Sequence, residues 1–152
     1  MAISNDTKLS LYEQDYQLWL KQTLVQLRSR DFTKVDLQNL IEEIEDLGKS
    51  EKHAISSYLM RLCEHLLKVK YWEAERENCL RGWDLEITNF RIQIQRSLKS
   101  SPSLKNYLHE NFLLEYGNGR KLFLKVSGLD ATSVPEQPCF SLEETLMEDW
   151  LP

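Results

Sequence analysis

The sequence lacks the residue patterns on which many recognisable sites are built. Its three cysteines, Cys63, Cys79 and Cys139, are odd in number and contain no C-x-x-C pair, so neither a disulfide framework nor a cysteine zinc site is indicated. No apolar run approaches the roughly 20 residues of a membrane helix. The N-terminus also has no basic and apolar segments of a signal peptide. We therefore expect a soluble, cytoplasmic protein without a membrane contact.

Signature motifs of catalysis are missing as well. The chain has no G-x-S-x-G elbow, H-E-x-x-H helix, G-x-G-x-x-G turn or phosphate-binding loop. None of its three histidines has a carboxylate three or four residues away, and so the Glu-x-x-His pattern of di-iron bundles is absent. The sequence predicts no cofactor and no metal site. A metal site with ligands from different helices, such as Glu45 with His65, stays open as an alternative.

Basic residues are in deficit. The chain has 24 acidic and 19 basic side chains and a formal net charge of −5, which repels phosphate backbones and anionic lipids. Nucleic acid is therefore disfavoured as a partner. Nucleic-acid binding stays possible only if five basic residues lie on one face of the protein: Arg61, Lys68, Lys70, Arg76 and Arg81.

Apolar residues at helical spacing dominate what is present. They predict an all-α fold, a bundle of about four main helices with a long second helix and a short C-terminal helix. We expect one domain over residues 1–152, because this length suffices for an independent core. Residues 1–8 and 129–140 are expected to be largely irregular.

Capping signals set the limits of the first two helices. Ser10 and Glu13 have the spacing of a capping box, which opens a helix that should run to Arg28. Asp36 is the predicted N-cap of the second helix, which should reach Lys70, with Gly48 as its weak point. The segment from 71 to 78 has no clear period and is predicted to connect this helix to the next.

The second half of the chain contains one ambiguous segment. A third helix should end before Pro102, because proline disfavours helical geometry in the preceding residue. Residues 103–126 fit either a helix or, around Asn118-Gly119, a β-hairpin, and the helix is favoured. Ser141 and Glu144 form a second capping box, which predicts a short helix through Met147.

Glu51 is the residue that most needs a partner. At about 100° per residue it lies near the centre of the second helix's apolar stripe, with Glu45 and His65 on opposite flanks. An unpaired buried carboxylate is costly, and Arg91 on the third helix is its predicted partner, with Trp83 two turns earlier. These five residues are the candidate pocket. A buried ion pair that only fixes helix register is the favoured interpretation, and a ligand pocket or a catalytic site built from the same groups is the alternative.

An acidic patch precedes this pocket. Glu42, Glu43 and Asp46, with Glu45, concentrate negative charge on a few helical turns, which costs roughly 0.2–0.5 kcal/mol per like-charged pair unless it is offset. A divalent cation or a basic partner surface would offset it. Lys49 would do so too, and an ordinary solvated face is then the favoured interpretation.

Several segments together resemble a known bacterial family. They are Leu11 to Tyr16 with Trp19, Asp36 to Gly48, His65-Leu66-Leu67-Lys68, Trp83, Arg91, Ser101 to Leu104, and the closing Pro138-Cys139-Phe140 and Leu151-Pro152. This order resembles the domains of unknown function numbered twenty-nine, over nearly the whole chain. The resemblance implies an all-α bundle and supports a helix at residues 103–126, but it implies no reaction.

Two functions follow as hypotheses. The first is a non-enzymatic binding or regulatory module, because the first helix has a second apolar face at Leu11, Leu18 and Val25, and the third has a sparser one at Leu85 and Ile92. A protein partner, a small ligand or self-association would use such faces and the polar pocket. The alternative is a metal-dependent or hydrolytic enzyme that uses the Glu, His and Arg side chains of the pocket.

Overall fold

The computed structural model describes residues 9–152, and within them it contains helices and no strand. The predicted all-α fold, with a long helix and a short C-terminal one, is confirmed. Short 3-10 helices occur at Phe32–Lys34 and Ala131–Ser133. The α-helices are α1 (Leu11–Gln14), α2 (Tyr16–Arg28), α3 (Leu37–Tyr71), α4 (Glu73–Ser100), α5 (Leu104–Ser127) and α6 (Leu142–Leu146).

The described residues form two compact units, here called unit 1, which ends at Gly48, and unit 2, residues 49–152. The boundary follows Gly48 within α3, which is helical on both sides of it. The single domain expected from chain length stays a prediction. Of the segments predicted to be irregular, 1–8 lies outside the described residues. Residues 129–140 contain one 3-10 turn and are otherwise without regular structure.

In unit 1 the predicted first helix is interrupted. The Ser10 capping box is present as predicted, but α1 ends after one turn at Asp15, whose backbone is extended (φ −151°, ψ 90°). The Asp15 carboxylate then accepts a hydrogen bond from the Leu18 N–H at 2.9 Å and caps α2. Aspartate is among the strongest N-cap residues. The continuous apolar spacing conceals this break because it continues across Asp15.

The predicted connection at residues 71–78 is wrong. Only Trp72 separates α3 from α4, which starts at Glu73. Arg76, in the first turn of α4, donates to the carbonyl oxygens of Val69 (2.7 Å) and Lys70 (2.8 Å). These carbonyls belong to the last turn of α3, which has no intrahelical donors for them. The arginine therefore satisfies the end of one helix from the start of the next.

Helix α5 covers the ambiguous segment, so the hairpin alternative is wrong. It ends at Gly128, whose left-handed backbone (φ 68°) suits the residue after a helix. Gly119 lies against α3: a Cβ atom built on it would be 2.7 Å from the Met60 carbonyl oxygen and 2.9 Å from the Glu64 amide nitrogen. The absence of a side chain at this position therefore permits close contact of two helix backbones.

The core of unit 2 is formed by the second half of α3, by α4 and α5, and by the C-terminal segment. An ion pair network that the sequence analysis did not predict extends from a buried carboxylate of α3 to the surface. Glu64 is 3% exposed and accepts from Arg61 at 2.6 Å and from Lys68 at 3.2 Å. The core side chains with no exposed surface include Ile55, Leu59, Leu62, Leu66, Leu67, Ile87, Ile94, Leu108, Tyr116 and Phe123.

Candidate functional site

The four candidate pocket residues of unit 2, Glu51, His65, Trp83 and Arg91, do not form the predicted site, and Glu45 belongs to unit 1. Glu51 is half-buried as expected, but its carboxylate accepts a hydrogen bond from the Ser101 hydroxyl at 2.8 Å. The predicted ion pair between Glu51 and Arg91 is wrong. Ser101 is the C-cap of α4. The partner of Glu51 is therefore a hydroxyl at the end of this helix and not the guanidinium of Arg91 in its interior.

His65 and Trp83 are core residues of unit 2. His65 is 4% exposed; its Nδ1 lies 2.8 Å from the Arg61 carbonyl oxygen, and its ring meets Phe90 edge to face. Burial is the main cause that lowers the pKa of His65. Trp83 stacks on Trp72 with ring centroids 5.7 Å apart. These contacts assign packing roles to both residues.

Arg91 has a different role from the predicted one. Its side chain is 6% exposed. Its Nε donates to the Thr145 carbonyl oxygen at 2.9 Å and its Nη2 to the Trp150 carbonyl oxygen at 2.7 Å. Thr145 lies in the last turn of α6, where carbonyls have no intrahelical donor. Arg91 thereby fixes the C-terminal segment on α4, although burial lowers its pKa.

A groove lies in unit 2 between α4 and this C-terminal segment. Its volume is about 500 Å³, within the range of small-molecule pockets. The C-terminal segment turns sharply there, because Asp149 has a left-handed backbone (φ 59°), which aspartate tolerates better than most residues. The groove is lined by Thr88, Arg91, Ile92, Gln95, Arg96, Lys99, Leu146, Glu148 and Asp149. Of the five candidate pocket residues, only Arg91 is among them.

Positive side chains of the groove are available for a ligand. Arg96 and Lys99 are exposed on α4, and neither forms an ion pair with any carboxylate of residues 9–152. Glu148 and Asp149 face the same cavity without pairing with them. Arg91 donates from Nε and Nη2 to its two carbonyls. Cations and apolar surface are thus presented together.

In unit 1 the acidic patch contains one engaged carboxylate. Glu43 accepts hydrogen bonds from the Tyr12 hydroxyl at 2.5 Å and the Tyr16 hydroxyl at 2.6 Å, and both rings pack against the buried Trp19. The hydroxyl donors lower the pKa of Glu43, and the same contact raises the pKa of Tyr12 to about 12. Glu42, Glu45 and Asp46 are exposed and form no ion pair within the described residues.

This carboxylate makes the stability of unit 1 dependent on pH. Because the pKa of Glu43 is lower in the folded state, its contribution is complete above its unfolded value of 4.5 and is lost as pH falls further. We expect Glu43→Gln to flatten this acid dependence, since a neutral amide accepts from tyrosine at any pH. The NMR signal of the Trp19 indole, followed from pH 6 to pH 3 in both proteins, measures how much of unit 1 stays folded. Equal acid sensitivity of the two proteins would contradict the assignment.

A second cavity lies beside Trp19 in unit 1. It measures about 130 Å³ and is lined by residues that include Trp19, Gln22, Thr23 and Gln26. The Trp19 indole N–H is buried and has no acceptor among residues 9–152. The volume is below the roughly 300 Å³ at which small-molecule pockets begin, so we do not consider it a ligand site.

The described residues give no support to a metal centre or a membrane span. Across residues 9–152, no three His, Cys, Asp or Glu side chains are placed so that they could hold a metal ion. In the same part of the chain, no helix combines the length and the apolar composition needed to cross a bilayer. Burial raises the pKa of the Cys63 thiol, which is fully enclosed, so this cysteine is a packing residue.

Comparison with known proteins identifies a family. No curated protein and no solved structure matches the chain. A family model with the description "Domain of unknown function DUF29" matches residues 11–151. That range includes every candidate residue discussed above, from Tyr12 to Asp149, and nearly the whole sequence. The chain therefore belongs to the DUF29 family, whose function is unassigned.

Proposed function

We propose that this DUF29 protein is a binding module whose groove takes a small molecule with an apolar body and an anionic group. The observation that carries this proposal is the composition of the groove between α4 and the C-terminal segment. Three cationic side chains, Arg91, Arg96 and Lys99, line a cavity of about 500 Å³, in a protein with a net charge of −5. None of the three forms an ion pair within residues 9–152.

The apolar part of the ligand is inferred from the other lining residues. Ile92 exposes 46% of its surface and Leu146 is 7% exposed, on opposite sides of the groove. An alkyl or aromatic group between them would remove apolar surface from water, which stabilises by roughly 25 cal/mol per Å². A carboxylate, sulfonate or phosphate at one end would then meet the cations, for which arginine provides paired donors.

Binding at this place would act on the C-terminal segment. Residues 146–149 form one wall of the groove, and Arg91 holds their neighbours Thr145 and Trp150. A ligand that contacts both walls would stabilise the packing of this segment on α4, because it would bind only the state in which the segment is packed there. The enzymatic alternative has no comparable observation in its favour, since Glu51 and His65 are engaged by Ser101 and the Arg61 carbonyl.

Calorimetric titration with two amphiphiles of equal chain length tests this function. We expect decanoate to bind the full chain more tightly than decyltrimethylammonium, although the protein is acidic overall. Arg96→Glu should weaken decanoate binding about tenfold, which corresponds to about 1.4 kcal/mol. The matched control is Arg81→Glu, an exposed site on the same helix outside the groove.

Two results would contradict the proposal. One is equal affinity for the anionic and the cationic amphiphile, which would indicate unspecific apolar adsorption. The other is an equal effect of the Arg96 and Arg81 substitutions, because only the first removes a charge from the groove. Circular dichroism of each variant confirms that the helices are retained, as expected for exposed positions.

A further inference from the structure

One apolar stripe runs along α3, but its first part is uncovered. From Ile55 onward the stripe belongs to the core of unit 2 and is buried apart from the half-buried Tyr58. In unit 1, within residues 37–48, Leu40 is half-buried and the other four apolar side chains expose 48–71% of their surface. Isolated exposed apolar residues are ordinary, whereas a contiguous apolar face marks a contact site. The exposed members are Leu37, Ile41, Ile44 and Leu47, which we call the open face.

The elements of unit 1 contact a different side of α3. Tyr12 of α1 and Tyr16 of α2 both bond Glu43. At 100° per residue, Glu43 lies about 100° around the helix from the centre of the open face. The open face is thus not a surface that α1 and α2 cover through these bonds. Its residues span about 15 Å at 1.5 Å per residue, which matches nearly three turns of a second helix.

The charge around the open face specifies what would fit it. Residues 37–48 contain four carboxylates, Glu42, Glu43, Glu45 and Asp46, and no basic side chain. Glu45 follows Ile41 by one helical turn and borders the apolar side chains. At 100° per residue, Glu43 and Glu45 flank the open face on its two sides, whereas Glu42 and Asp46 lie on the opposite side of α3. None of the four carboxylates forms an ion pair within the described part of the chain. An apolar face with an acidic border is complementary to an apolar face with a basic border.

We propose that the open face docks a basic amphipathic helix of a partner protein. Spacing of i, i+4, i+7 and i+10 is that of a helix that receives another helix along its length. Pairing with a second copy of the same segment is disfavoured, because it would bring Glu43 and Glu45 of both copies together with no basic side chain of residues 37–48 to offset them. This interaction is independent of the groove in unit 2, which uses other residues.

Fluorescence anisotropy with designed peptides tests the docking. The probe is an 18-residue labelled helix of leucine and lysine with leucine at i, i+3, i+4 and i+7. A peptide with the same composition but permuted order controls for charge alone, and a leucine–glutamate version controls for apolar contact alone. We expect the full chain to bind the first peptide at least tenfold more tightly than either control.

Protein variants locate the site. Ile44→Ser should weaken the affinity for the peptide at least tenfold. Glu45→Lys should also weaken this affinity and should reduce its dependence on salt concentration. The matched control is Leu85→Ser on α4, since Leu85 is 68% exposed and lies outside the open face. All three positions are exposed, so each variant should fold, which circular dichroism checks.

Three outcomes would overturn the proposal. The permuted peptide could bind equally well, which would reduce the effect to unspecific charge attraction. Ile44→Ser could leave the affinity unchanged, which would place the peptide elsewhere. Sedimentation could instead reveal a dimer of the full chain that Ile44→Ser abolishes, and the open face would then be a self-association surface rather than a site for a basic partner.

Discussion

Replacing Arg91 by methionine should destabilise the protein by about 3 kcal/mol and release its C-terminal segment. The substitution removes the donors of two hydrogen bonds, to the carbonyl oxygens of Thr145 and Trp150. Hydrogen bonds of charged groups contribute about 1.5–3 kcal/mol each. Part of this free energy is recovered, because the variant no longer pays for the desolvation of a buried guanidinium. We therefore take the lower end of the range, about 1.5 kcal/mol for each of the two bonds. Methionine fills much of the volume of the arginine's aliphatic part, so the change in unfolding free energy reflects mainly the two lost hydrogen bonds.

Urea unfolding and hydrogen exchange together measure this effect. We expect a lower unfolding midpoint, and faster exchange of the amides in residues 142–151 than in α3 or α5. Arg96→Met is the matched control, because Arg96 is exposed on the same helix and exposed substitutions usually change stability by less than 0.5 kcal/mol. Arg91→Lys should recover little, since a lysine cannot present two fixed donors. Unchanged exchange in the C-terminal segment of Arg91→Met would contradict this role.

Alanine should have opposite effects at Gly119 and Gly117, two residues apart on α5. At Gly119 the new Cβ would lie 2.7 Å and 2.9 Å from backbone atoms of Met60 and Glu64, which cannot move without displacing α3. Overpacking of this kind costs about 1–3 kcal/mol. The higher helix propensity of alanine returns about 1 kcal/mol. Because both clashing neighbours are backbone atoms, the upper end of the overpacking range applies, and we expect a net loss of about 2 kcal/mol at Gly119.

Gly117 supplies the internal control for this prediction. No atom lies within 4 Å of a Cβ built there, so alanine should gain stability by up to about 1 kcal/mol through propensity alone. In a protein of this size 1 kcal/mol shifts the melting temperature by about 2–4 °C. Thermal melts of the two variants should therefore move in opposite directions. If Gly119→Ala melts at or above the wild-type temperature, the close contact between α3 and α5 is wrong.

Much of the helical architecture followed from the sequence, because its determinants are local. Apolar spacing and capping residues act within four positions of each other, and they predicted the limits of α3, the end of α4 and the start of α6. The break at Asp15 was missed because apolar spacing continues through it. The start of α4 at Glu73 was missed for the opposite reason, since residues 71–78 have no clear apolar period. Asp15 carried a usable signal, since an aspartate is a strong N-cap wherever it occurs.

The partners of the polar side chains were not predictable in the same way. Arg91, Arg76 and Arg120 each bond main-chain carbonyls of another segment, and a carbonyl leaves no trace in the sequence because every residue has one. Placing Glu51 near the apolar stripe correctly indicated a need for a partner, but the donor is a serine at a helix end. The Glu64 and Lys68 pair did have a signal, the i, i+4 spacing of opposite charges.

The groove and the open face differ in what the sequence revealed of them. Ile92 was expected on a second, sparser face of its helix, and it does line the groove. The opposite wall could not be foreseen, because the turn at Asp149 depends on contacts with α4. The open face was concealed by the regularity of α3: the stripe that buries Ile55 and Leu59 begins eighteen residues earlier with the same periodicity.

Chemical-shift mapping of decanoate on the isotope-labelled full chain tests the central claim, that the groove of unit 2 is a binding site, most directly. We predict saturable shifts that are concentrated in residues 88–99 and 146–149. Arg96→Glu should weaken these shifts, and Arg81→Glu should leave them unchanged. Shifts spread over the exposed apolar residues of both units, or shifts that do not saturate, would contradict the claim that this groove is the ligand site.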